Sequence, residues 1–245
     1  MRRFLIVVAA ILIAGHANAA SFADWAVVVA SGDNHSAHDQ ILTETFDNAR
    51  RDVSDLLVKR GFSRDNLAEF SVQPTVALAG LPAMTTIDGM FSRLAALSTT
   101  APGGCLFYLT SHGSPDGVLV GRSILPPKRL AALVDQACGA KPTAVILSAC
   151  FSGVSIPALR GPNRFVFTAA RRDRPSFGCS ESDKYPYFDA CAIEALPNAK
   201  GLIDFAHIVR ACITKREDDE GLRPRSEPQL FVGPAFRDNA PTFAP

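Results

Sequence analysis

Short, unbroken apolar runs alternate with longer stretches of helical periodicity, and this alternation constrains the fold more than any other feature of the 245-residue chain. Trp25 to Ala30 is a Val-rich run, and Leu67 to Val72 is a weaker one. Cys105 to Leu109, Ala144 to Leu147, Arg164 to Ala169 and Gln229 to Val232 continue the series. Strands covered on both faces read as continuous apolar runs, and such strands belong to parallel sheets. Between them, apolar residues recur at helical spacing over Ile41–Arg60, Thr85–Leu97, Pro127–Cys138, Phe188–Leu196 and Leu202–Thr214. Strand–helix alternation at this spacing predicts an α/β fold: a mostly parallel, six-stranded sheet with helices on both faces. The charged, Pro-containing stretch Lys215–Pro228 reads as a loop, and the tail from about residue 233 as irregular.

The N-terminus reads as an export signal. Met1-Arg2-Arg3 is basic, and His16-Ala17-Asn18-Ala19 ends in the small residues a signal peptidase reads. The apolar run between them, Phe4 to Ala14, is far shorter than the roughly 20 residues a membrane-spanning helix needs. Residues 1–19 are therefore expected to be cleaved, leaving one domain over 20–245 in the periplasm or outside the cell, with no stable membrane insertion. Hydrophobic residues make up 47% of the chain and charged residues 20%, enough apolar content for a packed core. A net charge of +1 gives it no general hold on nucleic acid.

In an open parallel sheet, ligands bind beyond the carboxyl ends of the strands. Thr110-Ser111-His112-Gly113 follows the third run, and Ser148-Ala149-Cys150-Phe151-Ser152-Gly153 follows the fourth. Two neighbouring strands thus deliver an imidazole and a thiol to one edge, a base and a nucleophile brought together by the fold. A thiol is a useful nucleophile only as thiolate, and a nearby imidazole can take its proton. Taken singly, a Cys at a strand end is ordinarily a small buried residue, and the joint placement is what carries the reading. The amides of Gly113 and Cys150 are candidate oxyanion donors. His35 and His38, in the loop after the first strand, are rival bases; His207, within a helical stretch, reads as structural. No Gly-x-Ser-x-Gly elbow or Gly-rich phosphate loop is present, and the six Cys lack zinc-site spacing, so no cofactor or metal is expected. With Cys150 as nucleophile, at least one other Cys is left unpaired; a bridge from Cys179 to Cys191 or Cys212 is one option.

Leu109-Thr110-Ser111-His112-Gly113 and Leu147-Ser148-Ala149-Cys150-Phe151-Ser152-Gly153 resemble the legumain family of cysteine peptidases and, more distantly, caspases. Phe167-Thr168-Ala169-Ala170, Ser176-Phe177-Gly178-Cys179 and Tyr187-Phe188-Asp189 resemble the stretch that follows the nucleophile in legumains. The resemblance runs from about Trp25 to Leu196. It implies a caspase-like three-layer sandwich, His112 as general base, Cys150 as nucleophile and a thioester acyl-enzyme on a peptide or protein substrate. It also implies a substrate pocket at Asp189, Ser148 and Asn34, with Asn34 matching a family Asn that orients the catalytic His. Two features depart from legumains that cut after Asn. Ser148 stands where they carry an acidic residue, and the loop after the first strand has no Arg, so no preference for Asn is expected. Asp173, Glu181 and Asp183 form an alternative acidic pocket or a solvated loop. A non-catalytic peptide-binding protein of the same fold, or a cysteine-dependent transpeptidase or acyl transferase, are the other readings.

Overall fold

The computed structural model describes residues 21–37, 41–73 and 82–245. The segment 1–19, expected to be an export signal, and His38 lie outside these residues. Strand β1 (Trp25–Ser31) leads to helix α1 (Thr45–Lys59), β2 (Leu67–Ser71), the two-residue β3 (Ala83–Met84) and α2 (Ile87–Thr100). Then come β4 (Gly104–Thr110), a meander of β5 (Gly113–Ser114), β6 (Gly117–Val120) and β7 (Ser123–Leu125), and α3 (Pro127–Cys138). The chain continues through β8 (Thr143–Ser148), α4 (Ile156–Leu159), β9 (Arg164–Thr168), α5 (Tyr187–Ala195), α6 (Leu202–Asp219), β10 (Gln229–Val232) and α7 (Pro234–Asn239).

The main sheet runs β10-β9-β8-β4-β1-β2-β3 and is parallel except for β10. All six expected strands are in it; the seventh, β3, is too short to leave an apolar signature. Because side chains alternate across a strand, each central strand supplies both cores. Val27, Val29, Leu106, Tyr108, Ala144 and Ile146 face one core, with α1, α5 and α6. Ala26, Val28, Phe107, Leu109, Val145 and Leu147 face the other, with α2, α3 and α4. Burying each large apolar side chain contributes roughly 1.5–3 kcal/mol, so the doubly covered centre is the stable platform on which the strand ends rest.

Several boundaries differ from the sequence expectation, each for a local reason. The first helix starts at Thr45, because Ile41 to Thr43 fold back on the loop after β1. Ser36 N donates to Ile41 O and Thr43 N to Asn34 O. Residues 215–219 continue α6 instead of forming a loop; the buried Glu217 carboxylate accepts from Ser226 N at 3.0 Å and holds the following segment against the helix. The tail is not irregular throughout: it contains α7 and buries Phe236 and Phe243. The meander β5-β6-β7 was not expected, although the turn signal Ser114-Pro115-Asp116-Gly117 announces it. Disulfides join Cys105 to Cys138 and Cys191 to Cys212, leaving Cys150 and Cys179 free, so Cys179 takes no part in a bridge.

Candidate active site

Strands β4 and β8 are central neighbours, paired in parallel with Thr110 opposite Ser148. The pairing extends one bond past the strands, from Ser111 N to Ser148 O at 3.0 Å. His112 and Cys150 are the residues next delivered at that edge. Gly113 packs directly on the nucleophile turn: a Cβ there would collide with the Cys150 carbonyl oxygen and lie 3.1 Å from the Ala149 methyl. Only glycine permits this approach. Leu119 N donates to His112 O, which makes Gly113–Val118 a non-hydrogen-bonded pair of the ladder and turns the Gly113 amide away from β6.

The His112 ring is fixed by two contacts. Its Nε2 lies 2.9 Å from the carbonyl oxygen of His35. A carbonyl can only accept, so Nε2 carries a proton, and any lone pair on the ring falls on Nδ1. Phe46, buried at the start of α1, meets the ring edge-on with centroids 4.9 Å apart. Asp33 stands behind, with Oδ2 3.9 Å from His112 Nε2 and Oδ1 2.9 Å from His35 Nδ1. The loop after β1 thus contributes a backbone acceptor from His35. Asn34, the residue expected to orient the ring, is held through its backbone by Asp33 and Thr43. His207 is exposed on α6.

Cys150 lies two residues past the end of β8, in a sharp turn. Phe151 adopts φ 56°, a left-handed conformation that is costly for a bulky side chain, and its amide donates to Arg174 O. Around the sulfur, Ser176 supplies both polar contacts: its N–H donates to Cys150 Sγ at 3.2 Å, and its carbonyl lies 3.6 Å away for the thiol to donate to. Burial pushes the Cys150 thiol up, and the Ser176 amide only partly offsets it. Burial thus favours the thiol over the thiolate at this sulfur.

Beneath the two strand ends lies Asp189, from the first turn of α5, fully buried. Its Oδ2 accepts from Thr110 Oγ1 and Ser148 Oγ, each at 2.7 Å, and Oδ1 accepts from the Tyr108 hydroxyl. Burial pushes its carboxyl up to about 6, against the pull of the three hydroxyls. Asp189 and Ser148, both expected to line the pocket, are therefore bonded to one another below the surface, and neither presents a free polar group. The second acidic cluster does not converge either. Asp173 pairs with Arg171 and Arg174, Asp183 accepts from Ser180, and Glu181 is exposed. Among the described residues, no group of three or more His, Cys, Asp or Glu is placed to hold a metal ion. None of their helices is long and apolar enough to cross a membrane.

The sequence reasoning missed the His35 carbonyl and the Ser176 amide and carbonyl. All three are backbone groups, which leave no mark in residue identity.

A three-layer α/β sandwich with a thiol and an imidazole at adjacent central strand ends defines the caspase-fold class. Caspase-1 from Spodoptera frugiperda has the same fold, with a TM-score of 0.61 over 88% of each chain at 12% identity. The model of the Peptidase C13 family matches residues 90–201, the stretch that contains both His112 and Cys150. The chain is thus similar to Peptidase C13 proteins over its central stretch and shares the caspase fold over most of its length. No curated protein matches the chain in sequence.

Proposed function

We propose that this chain is an endopeptidase acting through a His112–Cys150 dyad and a thioester acyl-enzyme. The observation that carries the proposal is the His112 Nε2 bond to the His35 carbonyl, in a segment packed directly against Cys150. It leaves Nδ1 as the ring's only acceptor. In the reaction, the Cys150 thiol gives its proton to His112 Nδ1 as Sγ attacks the scissile carbonyl. The amides of Gly113 and Cys150 donate to the oxyanion. The tetrahedral intermediate collapses, the amine leaves with the proton from His112, and water activated by the same ring hydrolyses the thioester. Transpeptidation would share these steps until an amine replaced the water.

The substrate is a peptide or protein. Export with cleavage after Ala19, and residence in the periplasm or outside the cell, fit the two disulfides, which persist in oxidising compartments. One observation favours the non-catalytic, peptide-binding alternative: burial disfavours the Cys150 thiolate. A thiol-directed acylating probe separates the readings. Cys150→Ala is expected to abolish labelling, and His112→Ala to slow it by at least about 100-fold, the usual worth of a general base. Labelling spread over Cys150 and Cys179 alike, or indifferent to His112, would leave the fold and remove the activity.

A further inference from the structure

We infer that Asp189 is a positioning residue that sets the separation of the two strand ends carrying His112 and Cys150. The inference rests on the dyad proposed above. One oxygen, Oδ2, is shared by Thr110 Oγ1 and Ser148 Oγ, each at 2.7 Å. Those two residues are direct partners in the β4–β8 ladder, and each stands two positions before its reacting residue. The bridge therefore crosses the gap between the strands at the last regular rung, where ladder bonding is about to stop. The Tyr108 hydroxyl, one pleat back on the same face of β4, takes the other oxygen.

An ionised carboxylate only accepts, so all three hydroxyls must aim at it, and both strand-end side chains are held in one rotamer. The helix that delivers Asp189 is itself anchored, since Cys191, in the same helix, is joined to Cys212 of α6. With Asp189 fully buried, a substrate side chain does not reach it without displacing this network.

The discriminating measurement uses iodoacetamide, which has no side chain to occupy a specificity pocket. The rate of Cys150 alkylation is followed by peptide mapping on the folded mature chain, well below its thermal midpoint. Thr110→Val, which removes the hydroxyl and keeps the shape, is expected to slow alkylation roughly tenfold or more, because small displacements of a reacting pair are costly. Thr110→Ser, which keeps the hydroxyl, is expected to react like wild type. Asp189→Asn is expected to fall with Thr110→Val, and combining the two should cost little beyond either alone. Equal rates for wild type and Thr110→Val, or equal slowing by Thr110→Val and Thr110→Ser, would overturn the inference while leaving the dyad. A His112→Ala protein that alkylates as fast as wild type would instead overturn the dyad, and the inference with it.

Discussion

Two aspartates, one half-buried and one fully buried, hold this sheet together in opposite ways. Asp47, in the first turn of α1, ties the outer part of the sheet. It pairs with Arg50 and accepts from Ser31 Oγ at the end of β1, while Arg50 reaches on to Glu69 of β2. Asp189 ties the centre with three neutral hydroxyls and no cation. Burial pushes both carboxyls up. At Asp47 the bonds from Arg50, Ser71 and Ser31, together with the Arg50 charge, more than reverse it, and the group sits below the usual range. At Asp189 the hydroxyls do not, and the group is left at about 6. A full counter-charge makes a buried carboxylate indifferent to ordinary pH, whereas dipoles alone leave it titrating near neutrality. The carboxylate with a cationic partner lies where β1 meets β2, and the one without lies under the candidate site.

The comparison can be broken at several points. The largest effect is expected from Arg50→Met, which strands Asp47 and Glu69 beside one another. It should cost about 3–5 kcal/mol by urea unfolding at pH 7. Next, the pH dependence of the two aspartates should have opposite signs. Asp189 binds its proton more tightly folded than unfolded, so its contribution is greatest below its ordinary value of 3.8 and is lost as pH rises through about 6. Wild type should therefore lose about 2 kcal/mol relative to Asp189→Asn between pH 4 and pH 6.5, at 1.36 kcal/mol per unit. Asp47 should do the reverse: its advantage over Asp47→Asn holds above 3.8 and shrinks as pH falls below it. Curves of the same sign would refute the contrast. A smaller effect, about 1.5 kcal/mol at pH 8, is expected for Tyr108→Phe, which removes one of the three donors to a charged acceptor. The smallest belongs to Lys215→Ala. Its pair with Asp219 is exposed at both ends, and its loss should cost only about 0.3 kcal/mol in thermal unfolding.

The same contrast explains what the sequence discloses. Burial on both faces writes β1, β4, β8 and β9 into the chain as apolar runs, and the edge that receives His112 and Cys150 follows from their order. The two-residue β3 has no such signature. The turn that keeps Ile41 and Leu42 out of α1 depends on backbone bonds to Asn34 and Ser36. Partners of the reacting residues are hidden for the same reason: a carbonyl of His35 and an amide of Ser176 belong to any sequence. Asp189 is visible as an acid but not as a buried one, because its three hydroxyl partners come from positions 108, 110 and 148. Cysteine pairing is hidden too, since Cys191 meets Cys212 only once α5 and α6 are packed together.

The parallel pairing of β4 with β8 also has a bearing on time. Parallel neighbours cannot close by a hairpin; the chain between them must first complete a crossover, here through the meander and α3. Contacts of such long sequence separation form late and slowly. The parts of this site come from residues 33–35, 112, 150, 176 and 189, so no fragment of the chain and no early collapsed state assembles it. Until the central rungs zip, Cys150 and His112 stand on separate segments, and the proposed dyad is not yet assembled.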